Sequence, residues 1–136
     1  MAEKATGTVS AFWSFGVDDE PLWDELGEER VVVQRCKECA AFVHPPTVAC
    51  GNCLSTDLAL APVTGAGEVL AWTRMHLEYL EEWPPPYVVA AVRLDEGPIL
   101  MCTVTEGATE VGARGRVVPH VAASSLAVYR FVDAGH

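Results

Sequence analysis

The 136-residue chain carries nineteen acidic side chains against nine lysines and arginines, a formal charge of −10 at pH 7, which repels polyanions and argues against a nucleic-acid partner. Half of its residues are hydrophobic, enough for a core in one compact unit, yet apolar runs such as Tyr87 to Val92 fall far short of the roughly 20 residues a membrane-spanning helix needs. The opening MAEKATGTVSAFW has neither the continuous apolar stretch nor the small-residue cleavage site of a secretory signal, so a cytoplasmic, membrane-free protein is expected.

Val9 to Phe15 reads as a short helix with Phe12, Trp13 and Phe15 on its apolar side, closed early by Gly16. The next segment, DDEPLWDELGEE, has firmer helix grammar. An aspartate caps it, Pro21 sits near the first turn, acids lie at the positive end of the dipole, Leu22, Trp23 and Leu26 recur at helical spacing, and Gly27 is the expected stop. Seven acids fall between Asp18 and Glu29 with no base among them. A solvated helix face accounts for them, with a docking surface for a basic partner as the alternative. RVVVQR then reads as a strand running into a loop-dominated module that ends at Cys53 and holds Pro45 and Pro46 at its centre.

From Leu58 onward the chain consists of short strand-like runs with turn signals between them. Five main strands are expected: Glu68 to His76, Tyr87 to Leu94, Pro98 to Thr105, Gly115 to Val121 and Leu126 to Val132. Asp95-Glu96-Gly97-Pro98 reads as a tight hairpin, whereas a longer loop containing WPPPY joins the first two strands. In the first strand Val69, Ala71, Thr73 and Met75 would share one face and Leu70, Trp72, Arg74 and His76 the other. Both faces carry apolar groups, as in a barrel whose outside is partly covered. The expected fold is mainly β: an N-terminal helical segment over residues 1–29, a four-cysteine zinc ribbon over 30–62, and a five-stranded OB-fold barrel over 63–136.

The chemistry concentrates in RCKECAAFVHPPTVACGNC, where Cys36 and Cys39 form one CxxC pair and Cys50 and Cys53 another, ten residues apart. A two-residue spacer turns both thiols of a pair toward one ion, so two such knuckles set four sulfurs at about 2.3 Å from a tetrahedral metal. One structural zinc is expected, because four protein ligands leave no open coordination position. Rubredoxin-type iron shares the four-thiolate geometry and is the chemical competitor; disulfide or redox chemistry is a third reading, disfavoured in the cytoplasm. Binding requires thiolates, and the dication, Arg35, Lys37 and knuckle amides offset their charge. Cys102, in ILMCTV, reads as a buried core residue. His44 lies inside the module, but the thiols complete the ligand set without it; His76 and His120 read as structural. GxSxG, HExxH and a phosphate-cradling glycine loop are all absent from the sequence, so no catalytic residue is predicted.

An ordered set of segments goes further: LWDEL, VVQRCKEC, FVHPPTVAC, CGNC, Gly65 and Gly67 before EVLAWT, PYVVAAVRLDEG, and VGARGRVV. From about Pro21 to Phe131 this order and spacing resembles the acyl-CoA-associated OB-fold family with a rubredoxin-like zinc ribbon, long catalogued as a domain of unknown function. Ala40 stands where a glycine is common after the first knuckle, and Gly51 where a proline is common in the second; neither is a ligand. Some relatives have lost their cysteines, whereas all four are present here. The resemblance implies a small partner of thiolase-like enzymes, including lipid-transfer-protein-type thiolases and aldolases acting on acyl-CoA, with the catalytic residues in the partner. The chemistry would be carbon-carbon bond cleavage or formation beside a CoA thioester, as in degradation of steroid or aromatic side chains.

The leading expectation is therefore a non-catalytic, zinc-binding accessory subunit in a hetero-oligomer with a thiolase-like enzyme, with a CoA thioester as a further contact. Trp83 and Tyr87, in an exposed aromatic and proline loop, would offer large interface area at little entropic cost; a rigid loop packed on its own barrel is the bland alternative. Phe42 and His44 would be presented toward the partner by the ribbon, and Arg114 and Arg116 toward CoA phosphates, ordinary surface charge being their plainer role. Two other classes are set beside this one. A single-stranded nucleic-acid-binding OB module would need basic residues tracking phosphates, which are scattered here. An acyl-CoA hydratase component is suggested by the domains fused to relatives.

Overall fold

The computed structural model describes residues 20–78, 81, 83–106, 110–121 and 127–134. The helix expected over Val9 to Phe15, the acids Asp18 and Asp19, and Glu82, Leu126 and His136 lie outside the described residues.

Helix α1 (Glu20–Gly27) forms where LWDEL places an apolar stripe, and it buries Leu22 and Leu26. It stops at Gly27 as expected, but the cap is not made by that glycine. The chain turns away at Glu29, whose φ is 63°. The Glu29 amide donates to the Leu26 carbonyl at 2.9 Å and the Arg30 amide to the Glu25 carbonyl at 2.9 Å, the paired bonds of a Schellman cap. A glutamate thus occupies the left-handed position that usually selects glycine. Glu28 and Glu29 are exposed, consistent with a solvated acidic face, and Arg30 reaches back to Glu25 at 2.6 Å.

A three-stranded antiparallel sheet follows, ordered β2-β1-β3, from β1 (Val32–Cys36), β2 (Phe42–Val43) and β3 (Leu58–Pro62). The β3 sequence, LALAP, has little intrinsic strand preference. It is a strand because it pairs along all of β1, from Val32 opposite Pro62 to Cys36 opposite Leu58, so tertiary pairing overrides propensity. That pairing brings the far side of the cysteine module back beside its start.

The remaining strands are β4 (Ala66–Met75), β5 (Tyr87–Leu94), β6 (Ile99–Cys102), β7 (Val104–Glu106), β8 (Arg114–Val121) and β9 (Ala127–Asp133), in one sheet ordered β6-β5-β4-β8-β9-β7. The expected third strand, Pro98 to Thr105, is split. Its first part, β6, runs antiparallel to β5 at one end of the sheet, and its second part, β7, runs parallel to β9 at the other. Only Thr103 separates them, and its amide donates to the Tyr129 carbonyl at 3.1 Å. The sheet therefore curls until its ends meet, giving the expected five-stranded barrel with one strand shared between two neighbours.

The alternation expected along β4 is broken by a bulge at Leu70. Val69 pairs with Val92 but Ala71 with Ala91, so Val69 and Ala71 lie on opposite faces and Trp72, opposite Ala90, falls in phase with Val69. Val69, Val92, Leu94, Leu100, Val117 and Phe131 fill the barrel, and Leu26 and Val33 join the same core. Helix, ribbon and barrel are thus packed through one apolar interior. Among the described residues, no helix is long and apolar enough to cross a membrane.

Candidate metal centre

Cys36 ends β1, and the turn through Cys39 brings a second thiol beside it; Cys50 and Cys53 repeat the device across the module. All four Sγ atoms lie within 4.8 Å of one another, with Cys36 to Cys53 and Cys39 to Cys50 both at 3.6 Å. A tetrahedral ion at about 2.3 Å from each sulfur requires sulfur separations of about 3.8 Å. The observed spacing fits that shell and is far longer than the roughly 2.05 Å of a disulfide, and all five cysteines are free thiols. Cys36 and Cys50 are buried, Cys39 is half-buried and Cys53 faces solvent.

The surrounding donors favour thiolates. Glu38 and Cys39 amides point at the Cys36 sulfur at 3.4 and 3.5 Å, and the Asn52 amide at Cys50 at 3.3 Å. The Asn52 side-chain amide reaches the Cys39 sulfur at 3.4 Å. That contact, followed by the Ala41 amide, lowers Cys39 to about 6. The Ser55 amide also favours the Cys53 thiolate, but desolvation and the neighbouring sulfurs outweigh it and push Cys53 up to about 12. The N–H donors favour the thiolate at Cys39 while the crowding of four sulfurs opposes ionising all of them together, and a bound cation would offset that repulsion.

The module is held from β1 as well. Gln34 donates through Nε2 to the Thr47 carbonyl at 3.0 Å and accepts from the Thr47 amide at 2.9 Å, pinning the His44 to Ala49 segment to the strand. Arg35 stacks 4.6 Å above the Phe42 ring, so half-buried Phe42 is covered on that side. His44 is half-buried and meets Tyr129 of β9 edge-on at 6.3 Å, while Trp23 of α1 lies 5.8 Å from the same ring. Gln34, Asn52 and Tyr129 were not singled out in the sequence. Asn52 had a signal, since it sits inside the second knuckle with a side-chain donor; the other two roles depend on pairing between distant segments.

The other candidate residues lie apart from the thiols. Trp83 is only 9% exposed and packs 5.4 Å from His120 of β8, so its loop rests on its own barrel at that point. Tyr87, at the start of β5, is half-buried. Arg114 is exposed and pairs with Asp95 at 3.0 Å, while Arg116 donates to the Thr64 carbonyl. Cys102 is fully buried in the barrel core.

Four converging knuckle thiols on a small three-stranded sheet, packed on a five-stranded barrel, define a zinc-ribbon and OB-fold protein. Residues 23–59 match the ChsH2 rubredoxin-like zinc ribbon domain and residues 61–120 the ChsH2 C-terminal OB-fold domain. The two matches follow one another and together span most of the chain, which belongs to this ChsH2 family. The structure is similar to a chain of the Ltp2-ChsH2(DUF35) aldolase, with a TM-score of 0.79 and 28% identity over 90% of this chain and 98% of that one. It also shares its fold with a DUF35-family protein of unknown function from Sulfolobus solfataricus, at a TM-score of 0.59 and 17% identity, covering 93% and 92% of the two chains. A probable enoyl-CoA hydratase alpha subunit of Thermomonospora curvata is 36% identical over 84 residues, which is 61% of this chain but 26% of that protein. The chain thus spans about a quarter of that curated relative.

Proposed function

We propose that the protein is a non-catalytic accessory subunit of a thiolase-like or lipid-transfer-protein-type thiolase or aldolase, supporting carbon-carbon bond cleavage or formation on an acyl-CoA. The observation that carries this reading is the likeness to the Ltp2-ChsH2(DUF35) aldolase chain along nearly its whole length. Its three parts, residues 1–29, 30–62 and 63–136, would act together, the ribbon as a fastener and the barrel as the larger docking body. Cys36, Cys39, Cys50 and Cys53 would hold one zinc, closed to substrate because every coordination position is a protein thiolate. Contact with the partner or with acyl-CoA would run through the partly accessible Phe42, His44 and Tyr87 and the exposed Arg114 and Arg116, with buried Trp83 bracing the loop from beneath. Degraded steroid or aromatic side chains are the substrate class this reading favours.

Co-expression with a thiolase-like enzyme tests the assignment: the two chains are expected to co-elute as one assembly whose cleavage activity needs both. Two independently eluting proteins, with the enzyme fully active alone, would sink it. The sequence match to the hydratase alpha subunit supports a second reading, a component of an acyl-CoA hydratase. Under that reading the assembly, and not a thiolase partner, would add water to an enoyl-CoA. Turnover of an enoyl-CoA by the isolated chain, abolished by a single substitution, would replace the accessory role with an enzymatic one.

A further inference from the structure

Asn52 touches both halves of the thiol cluster. Its backbone amide points at the Cys50 sulfur of its own knuckle at 3.3 Å, and its side-chain amide crosses to the Cys39 sulfur of the other knuckle at 3.4 Å. The Glu38 and Cys39 amides, by contrast, serve the Cys36 sulfur within their own turn. Four thiolates around a dication form a cluster of net negative charge, in a chain already at −10. Each N–H aimed at a sulfur therefore adds to the little that Arg35 and Lys37 offset in an acidic chain. Cys39 is also only half-buried, and Asn52, which donates to it, is exposed.

The geometry points to Asn52 as the positioning residue that retains the metal: its carboxamide clamps the first knuckle to the second, keeping the Cys39 thiolate in the coordination shell and lowering its reactivity. The inference rests on the zinc reading of the four cysteines and goes beyond it, assigning a role to a residue that is not a ligand. Removal of an outer-shell hydrogen bond of this kind costs about 10–100-fold in metal affinity.

The test uses the full-length chain loaded with zinc or with cobalt(II). Competition against a chromogenic chelator is expected to show zinc held about 10–100-fold more weakly in Asn52→Leu, which keeps the volume and deletes the donor. Asn52→Asp, which sets an anion against the sulfur, is expected to lose at least as much. In the cobalt forms, the thiolate-to-metal charge-transfer band should move to longer wavelength in Asn52→Leu, because a sulfur that loses an N–H donor gives up an electron more easily. Should Asn52→Leu fail to fold, Asn52→Ala carries the same comparison. Unchanged affinity would overturn the proposal, and so would weakened binding with an unmoved band, which would make Asn52 a residue of the turn alone. A parent chain that takes up no zinc would instead defeat the metal reading, and the proposal with it.

Discussion

The five cysteines divide by environment, and that division can be read by chemical modification. Cys102 is fully buried, and desolvation pushes its thiol up to about 12, so almost no thiolate is present at neutral pH. The ribbon thiols are surrounded by N–H donors, and Cys53 reaches solvent. In the native chain treated with a chelator, an alkylating reagent is expected to add to Cys36, Cys39, Cys50 and Cys53 and to reach Cys102 only in denaturant. Mass spectrometry reads this directly, and modification of Cys102 before the ribbon thiols would contradict it. Asp95 offers a pH test. The Arg114 hydrogen bond holds its carboxyl below the ordinary value, so it stabilises the fold above the unfolded pKa of about 4 and ceases to do so as pH falls through the lower folded value. Both side chains are about half exposed, so the effect is small. The stability difference between the parent and Asp95→Asn is expected to be modest at pH 7 and to shrink in acid; a difference that grows in acid would have the wrong sign.

At the scale of elements, the helix and most strands are legible because their signals are local. Leu22 and Leu26 at helical spacing, and the unbroken apolar run of β5, each announce one element without reference to the rest. What was not legible depends on neighbours. No residue of Pro98 to Thr105 shows that the strand must leave β5 at Thr103 and join β9, and the bulge at Leu70 is invisible until β4 meets β5. The helix stops at Gly27 as the sequence suggests, but its cap is a similar case, since the left-handed residue is Glu29. A glutamate there carries backbone strain and sets a negative charge at the negative end of the helix dipole. Glu29→Gly is therefore expected to stabilise the chain by about 1 kcal/mol, measured by urea denaturation, despite the greater freedom glycine gives the unfolded state. Gly115 has the opposite requirement. A Cβ there would run into the Val132 carbonyl and the Phe131 ring, both fixed in β9, so Gly115→Ala is expected to cost about 1–3 kcal/mol by overpacking.

For the molecule as a whole, the four thiols were legible because a knuckle is a local device whose spacing states its purpose, whereas the accessibility of the candidate contact residues was not. His44 beside Tyr129 and Trp83 beside His120 are placed by groups far away in sequence, and Phe42 is covered by Arg35 only through the pairing of β1 with β2. Tyr129 shows most clearly how the parts are joined. Its ring is 4% exposed, packs against Trp23 of the helix and His44 of the ribbon, and belongs to a core shared by Leu26, Val33 and the barrel residues. Among the described residues its buried hydroxyl has no hydrogen-bond partner, and burial, followed by the nearby Cys102, raises its ionisation well above the ordinary phenol value. The ring and the hydroxyl thus pull in opposite directions. Tyr129→Phe keeps the packing and removes an unsatisfied polar atom, so it is expected to leave stability unchanged or raise it by about 1 kcal/mol. Tyr129→Ala removes the ring on which helix and ribbon both lean and is expected to cost about 3–5 kcal/mol, the usual range for truncating a buried aromatic. Because the core is continuous, the loss should appear as one earlier transition, with ribbon metal release and barrel unfolding moving together in a denaturation followed by both signals. Metal release that moves while barrel unfolding stays in place would mean that the ribbon is only tethered to the barrel, and that the shared core does not couple them.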